Sequence, residues 1–422
     1  MMVRYPPGFD LGLSRIRALL SGLNNPQNKL APIIHVAGTN GKGSTIALMR
    51  AMLEASGMAV HVHTSPHLVR WHERFRIAGK LVDDAMLHDG LSRVDAVLMS
   101  DHEGTAGSTV FEIMTAVAFL LFSETPGDAV LLEVGLGGEF DATNVIAAPA
   151  AAIIAPVALD HQAHLGNTLG EIAKAKAGII KQGRPVVSAA QHDDARAVIE
   201  QMAARMAAPV QFADQDFQGF AERGRFTFQN ENGLLDLPRP ALPGEHQIDN
   251  AVLAIAGLQA AGFDLSPTHI AAGLQNTVWP GRMQRMPEGA LTNLVPGAEI
   301  WLDGGHNPHG AATVAAILAN RSDARSVLIC GMLNTKDPAG YFAALAPQVE
   351  EVITVPITSS DAGVDPVQLA EIAKASGLVA SSMVDLQAAL SAAGQRSASR
   401  ILIGGSLYLV GDALAQNGTP PN

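Results

Sequence analysis

The segment His35-Val36-Ala37-Gly38-Thr39-Asn40-Gly41-Lys42-Gly43-Ser44-Thr45 follows an apolar run and leads into an amphipathic one, the places for a strand and a helix. Glycines in such a turn let backbone N–H groups wrap phosphate oxygens, and the helix N-terminus adds positive potential. Lys42 is placed to reach the outer phosphates, and Ser44 or Thr45 to meet Mg²⁺. The spacing departs from the common GxxxxGK[ST] loop, because Gly41 follows Gly38 closely and Gly43 intervenes before Ser44. A tight turn with an incidental lysine is the plainer alternative; the strand–loop–helix context favours phosphate binding.

Three further residues have chemistry in their position. Glu133 ends an apolar run, where doubly wound sheets place ligands, and a carboxylate is the hard oxygen donor Mg²⁺ prefers. By itself it could equally be a salt-bridged strand end. His161 taken alone is a satisfied core or surface histidine, since imidazole is not a favoured Mg²⁺ ligand. Lys176 shares a helical stripe with Leu169, Ile172, Ala173 and Ile180, whereas Lys174 and Lys181 fall on another face and read as solvated. A lysine on an apolar stripe loses its charge readily, which frees the amine to react. The plain alternative is a stem that snorkels to water.

The variant loop spacing resembles the ATP loop of the Mur ligase superfamily, its folylpolyglutamate synthase/dihydrofolate synthase branch in particular. Further matching motifs follow in chain order: Thr64-Ser65-Pro66-His67-Leu68-Val69-Arg70 with Glu73-Arg74, then Leu132-Glu133-Val134-Gly135-Leu136-Gly137-Gly138 with Asp141-Ala142-Thr143-Asn144. Leu159-Asp160-His161, Leu165-Gly166 and Ala175-Lys176-Ala177-Gly178-Ile179 come next. Leu242-Pro243-Gly244-Glu245-His246-Gln247, Asn250, Pro280-Gly281-Arg282 and Asp303-Gly304-Gly305-His306-Asn307-Pro308 complete the series. Singly these are weak signals; their joint order across nearly the whole chain is specific.

The resemblance implies an ATP-dependent carboxylate–amine ligase. Its members activate a carboxylate as an acyl phosphate, which the amine of L-glutamate then attacks. The implied substrates are dihydropteroate and folates, with both activities at one site. By the same resemblance Gly38, Thr39, Asn40, Gly41, Lys42, Gly43, Ser44 and Thr45 hold ATP, with Asn250, Arg282, Asp303 and His306 toward the adenosine and Asn307 beside them. Ser65, Glu133, His161 and Ser44 are the implied ligands of two Mg²⁺ ions, together with Lys176 carried as an N-carboxylated lysine. Lys42, His161 and Lys176 are thus the catalytic assignments. Thr109, Phe111, Glu112, Phe140, Asp141 and Ala142 map to the pterin side, and Glu139 stands where the family often has arginine. Rival readings are another Mur-type amide ligase, a monofunctional folylpolyglutamate synthase, a non-catalytic nucleotide module and a GTPase. For the last, Asn334-Thr335-Lys336-Asp337 lacks the lysine directly after asparagine that a guanine motif needs.

Such groups need rigid elements behind them, and the composition allows these. Of 422 residues, 48% are hydrophobic and 16% charged, against a usual charged share of about 25%. Disorder is excluded. The formal charge of −12 argues against a nucleic-acid or anionic-membrane surface. One cysteine, Cys330, excludes a disulfide framework. The N-terminal stretch has prolines and an amphipathic pattern in place of a leader's apolar core. A cytoplasmic monomer with no membrane or nucleic-acid partner is the expectation.

Apolar strand-like runs at 33–36, 60–62, 130–134, 151–157 and 185–188 alternate with helical patterns at 45–55 and 111–122. That rhythm predicts an α/β fold with a mainly parallel sheet covered on both faces. Runs at 226–229 and 234–237 flank Asn232-Gly233 as a hairpin, and a helix follows over 251–261. The rhythm restarts with strands at 299–302, 327–330, 352–355 and 401–403 and helices at 311–318, 366–375 and 386–393. The expected organisation is an ATP-binding domain over 1–280, a linker over 281–289 and a smaller Rossmann-like domain over 290–422.

Overall fold

Apolar runs that neighbours bury on both faces form the centre of two separate sheets. The structure, a computed structural model, describes residues 12–100, 102–320, 326–396 and 398–421, so the leader reading lies, through residue 11, outside the described residues. The chain divides into two units. The first comprises the chain up to Pro66, Trp71–Ala241 and Ile248–Thr277; the second comprises His67–Arg70, Leu242–Gln247 and the chain from Val278 onward.

In the first unit the strands are β1 (Ile33–Ala37), β2 (Val60–His63), β3 (Phe75–Ile77), β4 (Lys80–Leu81), β5 (Ala129–Glu133), β6 (Ala151–Ile154), β7 (Val186–Ser188) and β8 (Val210–Phe212). Their order is β4-β3-β2-β5-β1-β6-β7-β8, parallel except for β3 and β4 at one edge. β1, β5 and β6 are buried along their whole length. The helices are α1 (Ser14–Gly22), α2 (Lys42–Ala55), α3 (Asp84–Met99), α4 (Val110–Glu124), α5 (Gln162–Leu165), α6 (Leu169–Ala177), α7 (Asp193–Arg205), α8 (His246–Ala260) and α9 (Pro267–Asn276). Helices α1, α3 and α4 cover one face, where Leu19, Val94 and Phe119 pack on Val130 and Leu132. Close approach of α9 to α2 requires Gly273, where a methyl group would lie 2.5 Å from Met52 Cα. A second, antiparallel sheet holds β9 (Phe217–Glu222), β10 (Arg225–Asn230) and β11 (Gly233–Pro238).

Three local expectations need correction. The apolar run from 151 stops being a strand at Ile154, since Pro156 has no N–H to offer a ladder. Gly233 is a strand residue paired with Asn230, so the hairpin turns one residue earlier, at Glu231 and Asn232. The Asn230 side chain drives this by accepting from Asn232 N at 3.0 Å. Lys181, expected in solvent, is half-buried, and burial lowers its ammonium pKa; Lys174 is exposed as expected.

The second unit restarts the βα alternation around β12 (Gln284–Arg285), β13 (Glu299–Asp303), β14 (Ser326–Cys330), β15 (Val349–Thr354), β16 (Val379–Ser382) and β17 (Arg400–Gly404). The order is β12-β13-β17-β14-β15-β16, with only the edge strand β12, inside the segment read as linker, antiparallel. The helices α10 (Pro308–Ala319), α11 (Pro338–Leu345), α12 (Pro366–Ala375), α13 (Leu386–Gln395) and α14 (Leu407–Asn417) supply two apolar layers. Asp337 of the tempting Asn334–Asp337 string caps α11 by accepting from Gly340 N at 3.0 Å. Among the described residues no helix is long and apolar enough to cross a membrane.

Candidate active site

Three parallel strands of the first unit end side by side, with Val36 of β1 paired to Glu133 of β5 and Ala37 to Ile154 of β6. The loops leaving them share the carboxyl edge of the sheet, where open α/β sheets take ligands. After β1 the backbone reaches α2 through Gly41, which caps the helix at φ +85° with no side-chain capping bond. The first turn thus presents backbone donors of the kind that hold an anion. Gly41 also needs its space: a methyl group there would lie 2.6 Å from Asn250 Oδ1. From the β6 side, Pro156 O accepts from Thr39 N at 2.9 Å. Thr39 Oγ1 donates to Ala158 O and accepts from Ala158 N, both at 3.0 Å. Pro156 lies inside the run read as strand and Ala158 just beyond it, so nothing in the sequence marks them as braces of the loop.

Two lysines converge on this loop. Lys42 Nζ donates to Gly38 O at 3.1 Å and to Thr39 O at 3.2 Å. Lys176 Nζ donates to Gly38 O at 2.8 Å from the buried face of α6. That helix is set by a capping box in which Thr168 and Glu171 exchange bonds. Burial and, after it, the Lys42 charge bring the Lys176 ammonium down to about 7, with Asp160 and Asp141 opposing. Lys176 is therefore a buried amine, not a snorkelling head.

Glu133 is buried, and its Oε2 accepts from Ser65 N at 3.1 Å, which brings those two predicted residues together. Ser44 and Thr45 are buried in the first turn of α2, and Thr45 Oγ1 has no hydrogen-bond partner among the described residues. His161 stands at the N-terminus of the short α5 in the left-handed region, φ 53°, with Nε2 3.9 Å from Asp160 Oδ1. Among the described residues no three His, Cys, Asp or Glu side chains form a metal-holding group. Mg²⁺ is usually held through one or two carboxylates plus phosphate oxygens and water. The buried Glu133 carboxylate and the buried Thr45 hydroxyl, which has no partner among the described residues, are oxygen donors of the kind such an ion takes.

The residues expected on the pterin side divide. Thr109 and Glu112 form the capping box of α4, with Thr109 N donating to Glu112 Oε2 at 2.7 Å, and Arg15 Nε donating to the same oxygen at 3.2 Å. The sequence carried this signal, Thr-x-x-Glu before an apolar run, and it was missed. Phe111 packs over Gly135, where a methyl group would meet its ring at 2.5 Å. Phe140 is half exposed, whereas Asp141 and Ala142 are buried. Both Asp141 oxygens are engaged inside the loop. Glu139 is exposed, and its N–H donates to Ala175 O at 2.8 Å, joining this loop to α6.

In the second unit Asp303 ends β13 and His306 lies in the turn after it, and the Arg282 guanidinium lies against that turn at Gly304. Asp303 accepts from Met283 N at 2.9 Å and Gly305 N at 2.7 Å. Burial raises its carboxyl pKa, with Arg282 opposing. His306 Nδ1 donates to Gly304 O at 3.0 Å, and Asn307 caps α10. Asn250 lies in α8 against Gly41.

Comparison with known proteins gives this arrangement relatives. Residues 36–258 match the Mur ligase middle domain, and residues 281–407 the Mur ligase glutamate ligase domain. The dihydrofolate synthase/folylpolyglutamate synthase of Bacillus subtilis (strain 168) is 36% identical over 328 residues, covering 74% of this chain and 73% of that protein. The solved structure of E. coli FolC in complex with DHPP and ADP superposes with a TM-score of 0.87 at 30% identity, covering 97% of this chain and 94% of that one. A bifunctional folylpolyglutamate synthase/dihydrofolate synthase solved with Mn, AMPPNP and L-glutamate bound has a TM-score of 0.85 at 33% identity, covering 97% and 95%.

Proposed function

The chain belongs to the Mur ligase family, in its folylpolyglutamate synthase/dihydrofolate synthase branch, and from that premise we propose that it ligates L-glutamate to dihydropteroate and to the γ-carboxylate of folates at one ATP-dependent site. The observation that carries the reading is the convergence of Lys42 and Lys176 on the Gly38 carbonyl, beside the strand end of Glu133. A carboxylate is a poor electrophile. It must first take the γ-phosphoryl group of ATP, after which the glutamate amine attacks the acyl phosphate carbon and phosphate leaves. Each step brings anions together, so the protein's task is positioning and charge screening.

The loop from Gly38 to Thr45, including Thr39, Asn40, Gly41 and Gly43, would wrap the phosphates through its backbone, and Lys42 would screen the group in transfer. Ser44 or Thr45, Ser65 and Glu133 would hold one Mg²⁺, and His161 with Lys176 a second. When bound, these ions would draw charge from the phosphoryl oxygens. Asn250, Arg282, Asp303 and His306 are proposed for the adenosine. Phe111 and Phe140 would flank the pterin, with Thr109, Glu112, Asp141 and Ala142 shaping the backbone around it.

Lys176 is proposed to act as a carbamate. Its neutral amine adds to CO₂ and loses a proton, which turns a cation that would repel Mg²⁺ into an oxygen ligand. The lowered ammonium pKa, about 7, supports this by leaving a large neutral fraction near neutrality. The compartment proposed is the cytoplasm, where Cys330, buried and alone, stays a thiol.

Phosphate release from ATP and Mg²⁺, with dihydropteroate plus glutamate against mixtures lacking either, tests the reading. Release that needs both, with dihydrofolate as product, supports it. Extension of tetrahydrofolate without any dihydrofolate from dihydropteroate would leave a monofunctional synthase. No glutamate-dependent release with either substrate would refute the ligase.

A further inference from the structure

We infer that His35 and Thr143 are positioning residues: a buried relay from His35 through Thr143 to Asp141 fixes the loop that follows Glu133. The inference rests on the proposed role of Glu133 at the metal.

The direction of the relay follows from donor counting. Thr143 Oγ1 donates its one proton to Asp141 Oδ1, which as a carboxylate oxygen only accepts. His35 Nε2 lies 2.8 Å from the same hydroxyl and must therefore be the donor. Asp141 in turn accepts from Leu136 N at 2.8 Å through its other oxygen, from Thr143 N at 3.0 Å, and from Gly135 N. All three side chains are buried.

The two ends of this relay are what give it a role. His35 sits in β1, shortly before Gly38, and Gly135 and Leu136 come just after Val134, which follows the β5 end at Glu133. The relay thus ties the strand that delivers the phosphate loop to the turn that leaves the proposed metal ligand. Stability alone gives no reason for it. His35 Nδ1 is buried with no partner among the described residues, and a desolvated imidazole with an orphan nitrogen weakens a core. The contrast with His61 is informative. That ring donates to Thr125 O at 3.1 Å and accepts from Ala78 N at 3.1 Å, a fully satisfied structural histidine.

Thr143→Val removes the hydroxyl and keeps the shape; Thr143→Ser keeps the hydroxyl. His35→Gln keeps a donor near the Nε2 position, and His35→Leu does not. Each is compared with wild type in thermal midpoint, in kcat, in the Mg²⁺ concentration for half-maximal activity, and in ADP binding by calorimetry with and without Mg²⁺. Groups that orient metal ligands typically cost about 10–100-fold in metal affinity or activity when removed. Thr143→Val and His35→Leu are expected to show a loss of that size in kcat and Mg²⁺ requirement, with metal-free ADP binding unchanged and with rescue by Thr143→Ser and His35→Gln. The inference is overturned if Thr143→Val is folded and keeps the wild-type Mg²⁺ dependence of ADP binding, or if the losses follow the thermal midpoint alone. A wild type without ligase activity would refute the proposed function instead, and the calorimetry would still decide on the relay.

Discussion

Lys42 and Lys176 donate to one acceptor, the carbonyl oxygen of Gly38, at 3.1 and 2.8 Å. Two ammonium groups meeting on one oxygen repel each other, and the buried one yields first. Burial is the larger cause and Lys42 the next, which brings Lys176 to about 7 from an ordinary 10.5. Only the neutral amine reacts with CO₂. At fixed dissolved CO₂ the carbamate should therefore increase as pH rises from roughly 6 to 8, following deprotonation of this one group. Carbon-13 NMR of protein equilibrated with labelled bicarbonate checks this, with Lys176→Ala as control. A carbamate signal that survives in the control, or none in the wild type at any pH, would sink the proposal.

Lys42 is the simpler case. Its Nζ rests on Gly38 O and Thr39 O, within the loop proposed for phosphate. Lys42→Ala should leave the fold intact, because the side chain is only half-buried at the loop surface. It should lower kcat by about 10²–10³, as loss of one preorganised charge at a transition state typically does. KM for the carboxylate substrate should change little. Steady-state kinetics decide, and turnover near that of the wild type would remove Lys42 from the chemistry.

The phosphate loop was legible because everything that defines it is local: a strand end, three glycines, a lysine and a helix start fall in one short stretch. Helical period puts Lys176 on the apolar stripe, but it leaves open a head that snorkels to water, and only the fold buries the amine. Its acceptor was not legible either, since Gly38 is 138 positions away and only the β1–β6 pairing brings α6 to the loop. Thr109 and Glu112 show the opposite failure. Their spacing is a capping box, a short-range signal, but a reading aimed at the pterin passed over it. The His35–Thr143 bond spans 108 positions between residue types common in any core, and no pattern in one sequence announces it.

The capping box makes a prediction that separates structure from substrate. Thr109→Ala removes the acceptor for Glu112 N, a bond of 3.3 Å, and opens the box at the start of α4. Loss of such a cap typically costs about 1 kcal/mol. Urea unfolding should show a loss near that value, with Thr109→Ser close to wild type and folate KM unchanged in both. A raised folate KM with unchanged stability would mean that Thr109 serves the substrate and not the helix.

The buried histidines make the fold sensitive to acid. Burial depresses His35 from 6.5 to about 3 and His63 to about 4, the latter although its Nδ1 donates to Arg74 O at 2.9 Å. Both pKa values are lower folded than unfolded, so below 6.5 the unfolded chain takes up protons that the folded one refuses. Their contribution is complete above pH 6.5 and is lost progressively as pH falls toward 4 and 3. By linkage each histidine should account for roughly 2 kcal/mol of lost stability at about pH 5. Asp141 and Asp303 are shifted upward by burial and act in the opposite sense, so the wild-type curve alone is a mixture. The difference between variant and wild type isolates the histidines. His35→Gln replaces the Nε2 donor and His63→Asn the Nδ1 donor without a titrating ring. Urea midpoints of the double variant should fall less than those of the wild type between about pH 7 and pH 5. Equal losses in the two proteins would show that these imidazoles take up protons without unfolding the chain.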